Sequence, residues 1–212
     1  MSRRTPPAVD VVTLVLLSAL LGACAVTSPP SPQTDEAWQR HQQSLARLAG
    51  WSLVARVVLS ADDDAWSGRL WWQQRADGYR IRFSAPTGQG GMELDGSSHG
   101  VEMRLADGQV LRAADAEALM REQLGWYLPL GGLRYWVTGM PEPGPEFDMY
   151  LDASGRLARL DQSQWEVRYP AYRRVGDLQL PRKVFMESDE LSLRLVVDRW
   201  EPLLQYRSGD GA

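Results

Sequence analysis

The residue types that carry most protein chemistry are sparse in this 212-residue chain: two histidines and one cysteine. His41 lies in "WQRHQQ" and His99 follows Ser97-Ser98, so the two stand far apart. Neither has the Cys/His/Glu spacing of a zinc site, and both read as ordinary surface or partly buried groups. Ser97-Ser98-His99 brings hydroxyls near a base, but neighbours in a turn do not make a triad, and no G-x-S-x-G elbow surrounds them. Asp62-Asp63-Asp64 reads as a solvated turn rather than a cation site. "GQGG", residues 88–91, follows a strand pattern with no helix after it, unlike a phosphate-binding loop. No acid/base carboxylate pair stands out. The expectation is a protein that is not an enzyme and uses neither metal nor cofactor.

Cys24 is different. A single cysteine has no intramolecular disulfide partner and no second thiol to share a metal. Ahead of it come Arg3 and Arg4, then an almost wholly apolar run from Val11 to Leu21. That run is shorter than the ~20 residues a membrane span needs and fits the apolar core of a secretory signal. An ordinary signal with an incidental cysteine is the plainer alternative. The segment Leu21-Gly22-Ala23-Cys24, however, resembles the bacterial lipobox, in which the thiol receives a diacylglycerol and becomes the mature N-terminus. Ala25 follows; an aspartate there retains many such lipoproteins at the inner membrane, so its absence favours the outer membrane. "AVTSPPSPQT" reads as an extended tether. The expected organisation is a lipoprotein signal peptide (1–23), a lipidated N-terminus with a Pro/Ser-rich tether (24–34), and one domain (35–212).

The formal net charge is −4, and one unit more negative without residues 1–23. That speaks against a nucleic-acid surface, which should be basic. Nearly all positive charge is arginine, with Lys183 the only lysine.

The elements that must position any functional group follow from hydrophobic periodicity. Residues 35–49 predict an amphipathic helix, with acids at its start, Trp38, Leu45 and Leu48 on one stripe, and Gly50 as a stop. The period then becomes two. Trp51, Leu53, Ala55, Val57 and Leu59 alternate with smaller or polar residues, as do Trp66, Gly68, Leu70 and Trp72, and then Tyr79, Ile81 and Phe83. This marks antiparallel strands with one dry face. Short strands are expected at 92–94, 101–105 and 109–112, with a hairpin turn at 106–108. Residues 114–125 predict a helix capped by Asp115 and stopped by Gly125, and 133–137 a shorter one. Strands resume at 147–151, 156–161, 165–169, 184–188 and 191–200. So long an antiparallel sheet must curl, and the helices between its halves can cover its dry face. The pattern predicts a mainly β fold with some α: a curved sheet or incomplete barrel of about eleven strands with helices across its mouth.

The chain has nine tryptophans, seven tyrosines and seven methionines. Most must fill a core, but a curved sheet lined by such residues also suits an apolar ligand.

At this level the sequence resembles the family of the outer-membrane lipoprotein receptor and insertase LolB. The likeness rests on "WQRHQQSLARLAGW", "WSGRLWWQQ", "YRIRFSAPTGQGGMEL", "DAEALMREQLGWYLPLGGLRYWVTGMPEPG", "LDASGRLARL", "QWEVRYPAY" and "LPRKVFMESDELSLRLVVDRW". It implies an incomplete antiparallel barrel under a helical lid. The hydrophobic cavity of that fold would take acylated lipoproteins from the periplasmic carrier LolA and deliver them to the inner leaflet of the outer membrane. It implies that Cys24 is the lipidated residue, tying a monomeric body to outer-membrane lipid. It also implies a membrane-insertion tip, commonly Pro-Leu-Gly, which here reads Pro86-Thr87-Gly88, with threonine as a departure. Candidate cavity residues are Leu53, Val57, Trp66, Leu70, Trp72, Tyr79, Ile81, Phe83, Leu119, Trp136, Phe147, Met149, Leu193 and Leu195. A competing reading is a structural or sensing envelope lipoprotein that binds a protein or acyl ligand without passing it on.

Overall fold

The structure is a computed structural model that describes residues 32–61, 64–86, 90–125 and 127–204. Cys24, the leader, most of the tether, Asp62, Asp63, Thr87 and Gly88 lie outside the described residues. The described residues all fall within one compact unit.

Helix α1 (Pro32–Leu45) comes first. Six strands follow: β1 (Leu48–Ala61), β2 (Asp64–Arg75), β3 (Gly78–Ser84), β4 (Gly91–Ser97), β5 (Gly100–Leu105) and β6 (Val110–Ala113). Helices α2 (Ala116–Leu124) and α3 (Leu130–Trp136) then lead to β7 (Phe147–Leu151), β8 (Leu157–Gln162), β9 (Trp165–Val175), β10 (Leu178–Glu187) and β11 (Ser192–Leu204). The strands form one eleven-stranded sheet in the order β6-β5-β4-β3-β2-β1-β11-β10-β9-β8-β7, antiparallel throughout. β6 and β7 are its unpaired edges, so the barrel is incomplete, as the periodicity predicts.

Alternation decides which face is dry. Trp51, Leu53, Ala55, Val57 and Leu59 of β1 are buried, as are Leu193, Leu195 and Val197 of β11. The opposite face carries cross-strand ion pairs such as Arg80–Asp95 at 2.8 Å and Arg82–Glu93 at 3.0 Å. These pairs are exposed and each contributes little stability; they keep that face wet and favour the register. In β11 the parity breaks. Val54 pairs with Arg199 and Ala55 with Val197, so Asp198 bulges out of the ladder. The extra residue returns Trp200 to the dry face, where its ring meets Trp51 at 5.4 Å and its indole N–H donates to the Pro181 carbonyl at 2.9 Å.

Several boundaries depart from the sequence pattern, among them α3, which starts at Leu130 rather than at 133. α1 runs 32–45, starting at Pro32, a residue suited to a first helical turn, and ending before a two-residue turn. Gly50 is therefore not its stop. It sits inside β1, where a Cβ would come within 2.6 Å of the Gln74 carbonyl oxygen. β9 and β10 extend well beyond 165–169 and 184–188 because Pro170 and Pro181, which cannot donate to a ladder, are absorbed by register shifts between the two strands. Met92–Leu94 lengthens to a full strand on both sides.

α2 begins at Asp115, whose carboxylate accepts from the Ala118 N–H at 2.7 Å, and ends at Gly125 in the left-handed conformation, φ 83°. α1 buries Trp38, His41 and Leu45, spaced one helical face apart. It packs on β10 and on the β7–β8 turn, where a Cβ on Gly155 would strike Ala37.

Candidate ligand cavity

The floor of a cavity of about 350 Å³ is laid by inward side chains of adjacent strands. Register aligns them in rows across the sheet. Leu193, Leu59 and Trp66 form one row, Leu195, Val57 and Gly68 the next, and Ala55, Leu70, Phe83 and Met92 a third. In a fourth, Trp72, Ile81 and Leu94 line the cavity, and Leu53 at the end of the row is packed in the core. Gly68 lets the Phe83 ring lie along the floor, since a Cβ there would come within 2.6 Å of that ring. Met120 and Gln123 of α2, Leu128, and Leu130 and Leu133 around α3 form the roof. Among the described residues Gln123 is the one polar group in the lining. At ~30 Å³ per water-sized group the space holds about a dozen methylenes.

The roof is fastened by Glu117. Its carboxylate accepts from the Tyr127 hydroxyl at 2.6 Å and from the Gly131 N–H at 3.1 Å, joining α2, the connecting segment and α3. Burial and this hydrogen bond push the Tyr127 phenol up to about 12. Burial, with Glu117 and Asp115 nearby, pushes Tyr79 up to about 12 as well. Both phenols stay neutral at physiological pH.

Eight of the sequence candidates line this cavity: Val57, Trp66, Leu70, Trp72, Ile81, Phe83, Leu193 and Leu195. Trp66 sits at its mouth, 42% exposed. The other six lie elsewhere. Leu53 and Leu119 are packed in the core. Trp136 is fully buried and donates its indole N–H to Gln162 Oε1 at 2.8 Å. Tyr79 borders a smaller pocket of about 190 Å³ beside the cavity. Phe147 and Met149 lie exposed on β7, because that edge strand is at the far end of the sheet from the cavity and no helix covers it. The parity rule that selected Val57 also reaches Leu59, and alternation through β4 reaches Met92 and Leu94. The roof residues Leu128, Leu130 and Leu133 had no such signal, since Pro129, Gly131 and Gly132 interrupt any period.

A wider groove of about 890 Å³ runs along β7–β9, but Glu146, Asp148, Asp161, Glu166, Glu187 and Asp189 line it. Such a carboxylate-rich, open surface does not favour an apolar ligand. Ser98 Oγ lies 3.4 Å from His99 Nδ1 in an exposed turn. Among the described residues no group of three or more His, Cys, Asp or Glu is placed to hold a metal, and no helix is long and apolar enough to cross a membrane.

Pro86 is exposed at the start of the loop joining β3 to β4. The loop leaves the sheet just beyond Phe83 and Met92, so it springs from the mouth end of the cavity.

A solved structure of a LolA superfamily protein from Nitrosomonas europaea matches this fold with TM-score 0.51 over 79% of the chain and 92% of that protein, at 9% identity. The outer-membrane lipoprotein LolB of Nitrosococcus oceani is 40% identical over 194 residues, covering 90% of this chain and 96% of the relative. That of Pseudomonas putida strain W619 is 37% identical over 194 residues, covering 90% and 95%. The family model of the outer membrane lipoprotein LolB matches residues 49–200, which span all or most of each strand of the cavity floor and both roof helices. The chain belongs to the outer-membrane lipoprotein LolB family.

Proposed function

We propose that the chain receives acylated lipoproteins from a LolA-type periplasmic carrier into the cavity between its sheet and helices, and releases them into the inner leaflet of the outer membrane. As a family member it is an outer-membrane lipoprotein acting in lipoprotein localisation. Lipidated Cys24 would anchor it, residues 24–34 would tether it, and residues 35–212 would work as a monomer in the periplasm. Acyl chains bury about 0.8 kcal/mol per methylene, so the anchor holds firmly. No bond is made or broken in this reading. Direction comes from rising affinity along the path, and each tenfold step needs only ~1.4 kcal/mol.

The observation that carries the reading is the cavity itself: a wall of Leu, Val, Ile, Met, Phe and Trp with one amide, under a roof fastened at Glu117. The decisive experiment mixes carrier loaded with lipoprotein, the soluble body of this chain, and liposomes. Lipoprotein should leave the carrier for the body and then reach the liposomes. Retention on the carrier would overturn the reading, and transfer to the body without onward delivery would favour a sensing lipoprotein. Pro86-Thr87-Gly88 is proposed as the membrane-insertion loop, with Thr87 or a neighbour such as Met92 at its tip. Thr87→Leu should speed delivery to liposomes and Thr87→Glu slow it, with carrier-to-body transfer unchanged; equal delivery by all three removes the tip from the mechanism.

A further inference from the structure

Among the described residues, buried polar atoms almost all have partners. The indole N–H groups of Trp136 and Trp200 donate at 2.8 and 2.9 Å, and the Gln162 amide is saturated. Three break that rule, His41 Nε2 on α1 and two atoms on β2. Trp72 Nε1 and Gln74 Oε1 are buried with no hydrogen-bond partner. Unpaired buried groups are unfavourable and call for an explanation.

Their placement supplies one. Trp72 and Gln74 stand two residues apart on β2 and so face the same side of the sheet. The Gln74 amide is oriented by its Nε2, which donates to the carbonyls of Arg75 and Gly78 at 3.0 and 3.3 Å; this fixes the unpaired atom as an acceptor. Trp72, only 3% exposed, borders two spaces. One is the apolar cavity, and the other is the 190 Å³ pocket lined by Gln74, Ser97, Asp115, Glu117 and Arg134. The two spaces share Trp72, Ile81 and Leu130 as walls. An idle donor and an idle acceptor thus flank the place where an apolar compartment meets a polar one.

We infer that the Trp72–Gln74 corner is a subsite for the amide linkage of an N-acyl chain: Trp72 Nε1–H donates to the acyl carbonyl and Gln74 Oε1 accepts from the amide N–H. An ester offers the carbonyl alone and an ether offers no donor, so a secondary amide is the one simple acyl linkage that satisfies both atoms. The inference rests on the acyl-binding reading and adds a direction to it. Trp66 and Trp72 are six residues apart on one strand, about 20 Å at ~3.3 Å per residue. With the linkage at Trp72, the tail runs along β2 and its end reaches the mouth beside Trp66, where the β3–β4 loop begins. Cargo leaves tail first.

The test uses residues 32–212, the compact unit that holds the whole core, and two probes of equal length, N-methyl dodecanamide and dodecyl methyl ether. The amide should bind about threefold to tenfold more tightly, as one or two net hydrogen bonds imply. Its binding should shift the Trp72 indole proton resonance downfield. Trp72→Phe weakens both probes through lost packing, so the readout is the amide-to-ether ratio, which should fall at least twofold, and to about one when Gln74→Leu is added. Gln74→Leu should halve that preference or more, and N,N-dimethyl dodecanamide, which has no N–H, should ignore the Gln74 change. A nitroxide at the tail end of the amide should broaden Trp66 rather than Trp72. If amide and ether bind alike to the unaltered protein, or the ratio survives Trp72→Phe, the subsite is overturned while the acyl-binding reading stands. If neither probe binds, both fall together.

Discussion

The two halves of the sheet are built from the same alternating strands, yet they end in opposite states. Beneath α1 and the end of α3, the half formed by β8, β9 and β10 is sealed. Trp136 is fully buried, its N–H is held by Gln162, and Gln162 in turn meets the N–H of Glu142 and the carbonyls of Glu142 and Pro145. The Tyr169 hydroxyl donates to the Trp136 carbonyl at 3.0 Å and the Tyr172 hydroxyl to the Leu157 carbonyl at 2.8 Å. Beneath α2 and the segment leading into α3, the half formed by β1 to β4 keeps a cavity, and its cover hangs on one carboxylate. The strands did not decide this; the covering elements did. A satisfied polar network fixes one geometry, whereas greasy walls with few directional bonds let a roof shift at small cost. α3 belongs to both halves. Its Trp136 end is riveted and its Leu130 end roofs the cavity, so it can act as the fixed edge of a movable flap.

Attacking the sealed half should do the most damage. Trp136→Ala removes a fully buried ring and should cost about 3–5 kcal/mol of stability in urea unfolding. A loss under 1 kcal/mol would mean this half is no firmer than the other. Crowding the cavity comes next. Leu70→Trp should leave unfolding nearly unchanged while weakening acyl-chain binding at least tenfold. Each excluded methylene is worth about 0.8 kcal/mol, and two suffice. Unchanged affinity would show that ligand does not lie over β2.

Loosening the roof is subtler. Glu117→Gln weakens two hydrogen bonds to a charged acceptor and should speed exchange of bound acyl probe about fivefold, with global stability moved by ~1 kcal/mol or less. In the same variant the Tyr127 phenol should titrate below its present value of about 12, measured by ultraviolet absorbance. No change in either would detach Glu117 from the flap. The smallest effect is expected from His41 in the sealed half. Burial, then Arg156, lowers its pKa below the ordinary 6.5. The unfolded chain therefore takes up a proton before the folded one does, and stability should fall as pH drops below about 6.5. His41→Phe should flatten that part of a melting-temperature profile, whereas a profile parallel to the unaltered protein would acquit His41.

How much of this was legible beforehand depended on whether the period ran unbroken. Alternation in β1, β2 and β3 pointed directly to Val57, Leu70, Trp72, Ile81 and Phe83 on the cavity floor. Pattern alone misjudged β7, because Phe147 and Met149 alternate as well as any buried strand while lying at an uncovered edge; exposure there is set by topology, not by sequence period. Trp136, on a helix, was also named as a wall residue, and only the buried amide of Gln162, twenty-six positions away, explains why it is a fastening instead. The bulge at Asp198 was equally invisible. It changes the parity of β11, and nothing in "VVDRW" announces an extra residue in a ladder. The two idle polar atoms on β2 belong to this class too, since the lack of a partner is a property of surroundings that the strand does not itself encode.

The unjoined margins at β6 and β7 have an effect on capacity. A tube whose first and last staves are stitched together has a girth set by stave number and stagger. Here the outline can splay or curl without severing a single ladder, so room for cargo is an adjustable quantity, and a thicker lipid tail can be met by bending rather than by melting.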